Sequence, residues 1–476
     1  MPFMPVVLWT DALIYLLLTL IALFVWYVRG RPHLAAPWRR VAQSKSGMVA
    51  ATVLAAYIAV GLLDSIHVRL PIESNDAKRF YSVEALSVFD ILVNGLRTRV
   101  EKTYSAPLAA YSFSKETVQL PDGREIREYP RLRYGGANLR HPASERTADI
   151  TWRVFYSLIV AALVWSAASG ALVRLVAARR KREFRETAKA LWRGETEVPW
   201  KSILITLALL MLFAFPVAFL SAHYHVFGTD KVGQDVLYLA LKSIRTGLII
   251  GTLTTLVMLP FALVLGIMAG YFRGWVDDGI QYFYTTLSSI PDVLLIAAAV
   301  LMMQVFMDAH PQIFPTITQR ADVRLLFLCI ILGVTSWTSL CRLLRGETLK
   351  LRELEYIQAA HALGVSHLRI MARHILPNVM HIVLITVVLS FSGLVLAEAV
   401  LTYVGVGVDP SMISFGNMIN SARLEMAREP PVWWSLFAAF LFMFVLVLAA
   451  NLFADAVRDA FDPRVRVAVS APLPKG

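Results

Sequence analysis

The sequence predicts an all-α polytopic membrane protein, and three features lead to that prediction. The 476 residues are 57% hydrophobic and only 17% charged, and the mean hydropathy is +0.59, outside the usual range for a soluble globular chain. About nine apolar stretches approach the roughly 20 residues that a helix needs to cross a bilayer. Basic residues cluster in short segments beside those stretches, as in membrane proteins with a fixed orientation.

Each apolar stretch is predicted to be one membrane-spanning helix. The predicted spans lie near residues 6–28, 47–65, 152–174, 202–221, 241–269, 281–306, 324–341, 379–403 and 434–456. We interpret the first stretch as a helix and not as a cleaved signal peptide. No basic region precedes it, it is long, and no small-residue cleavage site ends it before Arg29.

The distribution of charge predicts the orientation of the chain. The formal net charge is +12, but the positive residues lie beside apolar stretches, so nucleic acid is not an expected partner. The segments 28–46, 174–201, 343–376 and the region after Arg458 are all basic, and we expect them to be cytoplasmic. The N-terminus would then lie outside and the C-terminus in the cytoplasm. The basic run 179–185 could instead bind anionic lipid or a partner.

The only long polar interval, about residues 66–150, falls outside the cytoplasm by this alternation. It contains the turn-like stretch Leu120–Gly123, and we predict a small extracytoplasmic domain. Apolar residues from Val83 to Leu92 recur at roughly helical spacing. They predict one amphipathic helix, packed on the protein or lying on the membrane.

A cytoplasmic segment from Glu355 to Asn378 is the most informative part of the chain. It reads EYIQAAHALGVSHLRIMARHILPN and predicts two short helices that meet at an angle. Residues 349–363 suit the first helix, and Gly364 suits the left-handed position just past its end. Ser366 can cap the second helix, and Pro377 is predicted to stop it.

This segment resembles the coupling loop of binding-protein-dependent ABC permeases. The family pattern is Glu-Ala-Ala, three residues, Gly, nine residues, an apolar position, one residue and Leu-Pro. The spacing here matches throughout, with Gln358 in place of Glu and His374 in place of the apolar residue. By this resemblance the loop docks in a cleft of a separate ATPase and transmits motion to the spans. The residues implied are Gln358, Ala359, Ala360, Gly364, Leu376 and Pro377.

Further stretches resemble the peptide-permease branch of the same family. They are GTDKVGQDV at 228–236, GYFRGWVD at 270–277, LTYVGVG at 401–407 and AVRDAFDP at 456–463. Gln234 stands where the family pattern has Arg. The chain is therefore similar to C-type permeases of the dipeptide, oligopeptide and nickel ABC importers, over about residues 228–466, with an atypical N-terminal extension.

The resemblance implies a six-span permease core and a set of partners. The expected partners are a second homologous permease, two ATPase subunits, an extracytoplasmic substrate-binding protein and the lipid of a bacterial inner membrane. No cofactor is expected on this chain, and ATP would bind the partner ATPase. The predicted organisation is N-terminal transmembrane segments at 1–65, an extracytoplasmic insertion at 66–150, an additional span and basic cytoplasmic linker at 151–200, the permease core at 201–466 with the coupling loop at 343–377, and a cytoplasmic tail at 467–476.

Three charged residues inside predicted spans are candidates for the translocation path or its support. Asp292 follows Pro291, which can kink the span, so its carboxylate could meet a cationic group of the cargo. It could instead form a salt bridge or lie near the membrane surface. Glu398 occupies a position where family members often carry Glu, and we expect it to bond between helices or to support a gate, in preference to contacting the substrate. Arg245 is expected to reach the bilayer interface.

The sequence lacks the motifs that would indicate a nucleotide-binding or metal-binding site. No G-x-x-x-x-G-K-[ST] motif is present, so neither catalysis nor ATP hydrolysis is expected on this chain. His223 and His225 lack matching ligands nearby in sequence, so no metal site is expected and both are predicted to be solvated. Trp433 and Trp434 are predicted to lie in an aromatic belt at the bilayer interface.

Two other classes of function remain open from the sequence. A gradient-driven secondary transporter would contain intramembrane ionisable relays and often inverted repeats, and little of either is visible. A membrane-anchored sensory accessory subunit could use 66–150 to bind a ligand. That alternative leaves the coupling loop and the downstream spans without a role.

Overall fold

The structure, a computed structural model, describes residues 4–72, 80–82, 84–119, 125–181, 183–314 and 316–461. The predicted turn at Leu120–Gly123, the predicted cytoplasmic tail at 467–476 and residues Val83 and Arg182 lie outside the described residues. The chain forms two compact units. Unit 1 contains residues 1–6, 42–246 and 413–449, and unit 2 contains residues 7–41, 247–412 and 450–476.

Helices dominate both units. In chain order they are α1 (Trp9–Arg29), α2 (Pro32–Gln43), α3 (Lys45–Asp64), α4 (Val88–Leu92), α5 (Asn94–Thr98), α6 (Pro142–Arg180), α7 (Phe184–Arg193), α8 (Trp200–Ser221), α9 (Val236–Phe272), α10 (Gly274–Ser289), α11 (Asp292–Ala309), α12 (Ile317–Arg352), α13 (Glu355–Ala362), α14 (His367–Ile370), α15 (Leu376–Tyr403), α16 (Phe415–Glu425) and α17 (Trp434–Phe461). A π-helical turn, Met371–Ile375, joins α14 to α15.

Among the residues that the structure describes, seven short strands form three small sheets. They are β1 (Met4–Val6), β2 (His67–Arg69), β3 (Pro71–Ile72), β4 (Phe80–Tyr81), β5 (Leu86–Ser87), β6 (Glu116–Gln119) and β7 (Glu125–Glu128). The sheet orders are β1-β2-β5, β3-β4 and β6-β7, with every described pair antiparallel. All of these strands lie in unit 1.

Within the described ranges, nine helices are long and apolar enough to cross a membrane, by length and composition. They correspond to α1, α3, α6, α8, α9, α11, α12, the continuous helix from α14 to α15, and α17. The prediction of an all-α polytopic protein with about nine spans is therefore confirmed.

The predicted continuous span at 281–306 is wrong. The chain forms α10 and α11 instead, separated at Ile290 and Pro291. Pro291 has no backbone N–H and disfavours helical geometry in the residue before it. Ile290 accordingly adopts an extended conformation, with φ −88° and ψ 130°.

Unit 1 contains the insertion and its neighbouring helices. The apolar run from Val83 to Leu92 does not form the predicted single helix, because β5, α4 and α5 occupy the described part of this region. Ser87 caps α4 in a reciprocal capping box with Asp90. The Ser87 hydroxyl also donates to Asp64 at 2.6 Å, which connects α4 to the end of α3. Polar contacts thus override the helical periodicity.

The N-terminal strand indicates which ends of the spans share a side. β1 pairs with β2, with Pro5 opposite Val68. Two predicted spans, α1 and α3, separate these strands along the chain. Residues 4–6 and the start of the insertion therefore lie on the same side of the membrane.

Three apolar clusters are described in unit 2, and two of them are large. One cluster joins α9, α12, α13 and the helix from α14 to α15, and it includes the fully buried Cys341 and Leu344. The second joins α9, α11 and α12, and α1 packs partly buried side chains against it. The backbone N–H of Thr10 in α1 donates to Asp322 of α12 at 3.3 Å, and the Thr10 hydroxyl donates to the same carboxylate.

Candidate functional site: the coupling loop and the outer turn

The first helix of the predicted coupling loop, residues 343–377, is shorter than expected. The expected helix at 349–363 is interrupted at Glu353 and Leu354, because α12 ends at Arg352 and α13 begins at Glu355. Gln358 donates its side-chain amide to the Glu353 carbonyl at 3.2 Å. Gln358, one of the two residues here that depart from the family pattern, therefore donates to a carbonyl left without a helical partner at the end of α12.

Gly364 adopts the predicted left-handed conformation. Its φ is +74°, a region that costs glycine little and other residues more. The preceding Leu363 N–H donates to the Ala359 carbonyl at 2.9 Å, and the Val365 N–H donates to Ala360 at 3.1 Å. These bonds close the C-terminus of α13 and turn the chain toward α14.

The second helix differs from its prediction in two ways. Ser366 occupies the N-cap position of α14, but its side chain makes no capping hydrogen bond. Pro377 does not stop the helix, because α15 begins at Leu376 and continues to Tyr403. A proline in the first helical turn removes no required hydrogen bond. The predicted stop at Pro377 is therefore wrong.

The coupling loop presents exposed apolar side chains between helices that are packed into unit 2. Ile357 is only 2% exposed, and Ile370 and Ile375 are fully buried in the first apolar cluster of unit 2. Leu363 and Leu368, on either side of the turn, are 84% and 76% exposed. The two exposed leucines give this anchored turn an apolar surface that another protein could cover.

The predicted pathway residues have contrasting environments. Asp292 is exposed in the first turn of α11, immediately after Pro291. Glu398 is buried in α15 and accepts a hydrogen bond from the Thr402 hydroxyl at 2.9 Å. The side chain of Arg245, which was expected to reach the bilayer interface, is buried in the protein.

The segment between α8 and α9, residues 223–235, is named the outer turn after its predicted orientation, and it contains a buried ionic group that the sequence did not predict. The sequence predicted a solvated His225, but the side chain is buried. Its Nδ1 lies 2.7 Å from the Asp235 carboxylate, and its Nε2 lies 3.3 Å from Glu101 of the insertion. Burial alone would lower the pKa of His225, but hydrogen bonds to Asp235 and Glu101 raise it to about 9. The ring is charged at neutral pH.

The Glu101 carboxylate has further hydrogen-bond donors besides His225. Its carboxylate accepts the backbone N–H groups of Arg133, Tyr134 and Gly135 at 2.9, 2.8 and 3.0 Å. Burial raises the pKa of Glu101, but these bonds together with His225 lower it to about 2. Glu101 and His225 are 124 residues apart, so no local spacing could have indicated this pair.

The insertion also contacts the outer turn through Thr229. The Thr229 hydroxyl donates to the Thr103 carbonyl at 2.8 Å and accepts the Ser105 N–H at 2.6 Å. The indole N–H of Trp434 donates to the Thr229 carbonyl at 2.9 Å. Trp434 is buried, so its predicted place in an interfacial aromatic belt is wrong. Trp433 is half exposed.

Comparison with known proteins agrees with the class that this architecture defines, a helical polytopic membrane protein. Residues 262–467 match the family described as "Binding-protein-dependent transport system inner membrane component". The oligopeptide transport system permease protein OppC of Mycobacterium tuberculosis (strain ATCC 25618 / H37Rv) is 32% identical over 242 residues, 51% of this chain and 77% of that protein. The glutathione transport system permease protein GsiD of Pectobacterium atrosepticum is 32% identical over 246 residues, 52% of this chain and 74% of that protein.

The structure of the MetNI methionine ABC transporter in an inward-facing conformation covers 46% of this chain and 96% of the compared chain, with a TM-score of 0.34 and 16% identity. The sequence relationships show that this chain belongs to the family of binding-protein-dependent transport system inner membrane components. It is a multi-pass permease subunit of the ABC importer class.

Proposed function

We propose that this chain forms half of the translocation pathway of an ATP-driven importer for dipeptides or oligopeptides. The cargo class is supported by relatives named as oligopeptide, dipeptide and glutathione permeases. A second homologous permease would complete the pathway, and an extracytoplasmic binding protein would deliver the cargo. Two ATPase subunits would hydrolyse ATP in the cytoplasm.

The exposed tip of the coupling loop is the observation that carries this proposal. Leu363 and Leu368 are exposed on either side of a turn whose helices are anchored by buried isoleucines. This geometry suits a cleft on an ATPase subunit. Gln358, Ala359 and Ala360 would lie at the contact surface, and Gly364 would set its angle. Leu376 and Pro377, in the first turn of α15, would pass the displacement to that span.

The proposed orientation would put the coupling loop in the cytoplasm. The pairing of β1 with β2 supports an N-terminus on the same side as the insertion, residues 66–150. The basic segments 28–46, 174–201 and 343–376 would then be cytoplasmic, in agreement with the positive-inside rule. The C-terminus would be cytoplasmic as well.

Two carboxylates would act along the pathway. The exposed position of Asp292 beside the break between α10 and α11 supports contact with a cationic group of the cargo. Glu398 would support a gate instead. Its partner Thr402 also accepts the backbone N–H of Val408 at 3.3 Å, so this pair stabilises the chain that follows α15.

The first test is affinity purification of the solubilised chain, followed by identification of the co-purifying proteins and an ATPase assay of the complex. We expect a P-loop ATPase, a second permease and ATP hydrolysis by the complex. A lone chain without ATPase activity would contradict the proposal and favour a gradient-driven transporter.

The substitution Gly364→Val tests the coupling loop itself. A β-branched side chain at a φ of +74° costs about 1–3 kcal/mol and displaces the exposed tip. We expect membrane insertion and assembly to survive and ATP-driven import of a radiolabelled peptide to fail. Normal import together with normal stimulation of ATP hydrolysis would show that the loop does not couple the two subunits.

A further inference from the structure

The inner turn, residues 270–277, makes polar contacts that the proposed function does not yet use. It joins α9 to α10. The hydroxyl of Tyr271 lies 2.8 Å from Nδ1 of His367, the first residue of α14. The guanidinium of Arg352 donates to the carbonyl oxygen of Tyr271 at 2.7 Å. Tyr271 therefore contacts the coupling loop at the end of α12 and at the start of α14, on either side of the turn at Gly364.

A third contact joins the inner turn to the coupling loop at Asp277. Arg345 donates through Nε and Nη2 to the two carboxylate oxygens of Asp277, at 2.6 and 2.7 Å. The Asp277 side chain is largely buried, and the hydrogen bonds from Arg345 lower its pKa even though burial raises it. Such a paired, two-bond geometry constrains the direction as well as the distance between two helices.

Apolar packing surrounds these polar contacts. Tyr271 belongs to the same buried cluster as Leu344, Ile357, Ile370 and Ile375. This cluster includes residues before and after the tip of the coupling loop. Because close-packed side chains transmit strain, a displacement of α13 and α14 that left the inner turn in place would have to break both the packing and the hydrogen bonds.

We propose that the inner turn is a second transmission element of this permease, which receives displacement of the coupling loop through Tyr271 and Asp277 and delivers it to α10. This inference rests on the proposed function. α10 leads directly to the break at Ile290 and Pro291 and then to Asp292. The inner turn thus supplies a route from the ATPase contact to the candidate pathway carboxylate that does not pass through α15.

Cysteine labelling of the purified importer complex in lipid nanodiscs tests this route. The chain has two cysteines, Cys329 and Cys341, and both are buried, which limits their reaction with a polar maleimide. One reporter is Leu363→Cys, at the exposed tip of the coupling loop. The other is Ser288→Cys, exposed near the end of α10. Labelling rates are compared without nucleotide and with ATP plus vanadate.

We expect ATP plus vanadate to change the labelling rate of both reporters in the otherwise unaltered chain. With Tyr271→Phe and Asp277→Asn, the response of Leu363→Cys should persist while the response of Ser288→Cys falls by about fivefold or more, the scale of a typical coupling between sites. Tyr271→Phe removes one hydroxyl and keeps the ring in the core. If the double variant assembles poorly, the single variant Tyr271→Phe still tests the route.

The matched control is Lys350→Gln. Lys350 pairs with Glu347 at 3.1 Å on the exposed surface of α12, near the same contacts but without a bond to the inner turn. Both reporters should respond normally in this control, and Asp277→Glu should restore part of the lost response. An undiminished Ser288→Cys response in the Tyr271 and Asp277 variants would overturn the inference alone. A Leu363→Cys reporter that never responds to nucleotide would overturn the proposed coupling role itself.

Discussion

The outer turn and the coupling loop use the same backbone conformation in opposite surroundings. Gly233 in the outer turn has a φ of +78°, and Gly364 in the coupling loop has a φ of +74°. A Cβ atom on Gly233 would overlap the carbonyl oxygen of Glu101, whereas a Cβ on Gly364 would meet no heavy atom within 4 Å. The first glycine permits close packing inside unit 1. The second only sets the direction of an exposed chain.

The side chains around the two glycines show the same contrast. Thr229 and Asp235 of the outer turn are buried, and their hydrogen bonds are made within unit 1. Leu363 and Leu368 of the coupling loop are exposed. We infer that substitutions in the outer turn act mainly on folding, and that substitutions in the coupling loop act mainly on function.

The largest expected effect on stability is that of Gly233→Ala. The added methyl group requires both a strained φ and a shift of the Glu101 backbone, at a combined cost of roughly 2–5 kcal/mol. Gly364→Ala is the matched control, with a similar φ and open space, and should cost about 1 kcal/mol. Thermal unfolding in detergent would measure both. Equal shifts of the unfolding temperature in the two variants would mean that the close approach of Glu101 to Gly233 does not affect stability.

A slightly smaller loss is expected for His225→Gln. The substitution leaves Asp235 and Glu101 buried without the charged ring, and removing one partner of a buried ionic group costs about 3 kcal/mol. The three backbone N–H groups on Glu101 remain, so the variant should still fold. His223→Gln, at the less buried histidine of the same turn, is the control. The comparison fails if both variants unfold at the same temperature.

The free energy of unfolding should also change with pH, because folding shifts the pKa values of His225 and Glu101. The pKa of His225 rises from 6.5 to about 9 on folding, so its contribution is complete below pH 6.5 and is lost as the pH rises through 9. The pKa of Glu101 falls from 4.5 to about 2, so its contribution is complete above pH 4.5 and is lost toward pH 2. These two groups therefore stabilise the fold most between pH 4.5 and 6.5. In His225→Gln, the decline above pH 6.5 should become shallower.

The smallest effect is expected for Ser366→Ala. Ser366 occupies a cap position but makes no capping bond, so the change should lie within about 0.5 kcal/mol. A typical cap substitution costs about 1 kcal/mol. Ser87→Ala, which removes a complete capping box, should cost more in the same unfolding experiment. A larger loss at Ser366 would show that its hydroxyl stabilises the coupling loop in solution.

Features that depend on a few neighbouring residues were predictable from the sequence. The nine spans follow from the length of apolar stretches, and the left-handed Gly364 follows from its place after a helical run. The resemblance to the permease family was likewise carried by spacing within short segments. The predicted domain boundaries and the roles of Asp292 and Glu398 stay predictions.

Only the tertiary structure decided which distant polar groups meet. The pairing of Glu101 with His225, and of Trp434 with Thr229, joins segments separated by more than one span. Local composition had suggested a solvated histidine and an interfacial tryptophan. Burial changed both outcomes, because the free energy of a buried polar group depends on its partners, and those partners come from elsewhere in the chain. Helix formation in a bilayer requires no such partner outside its own segment, which is why the spans were visible in the sequence and the buried ionic group was not.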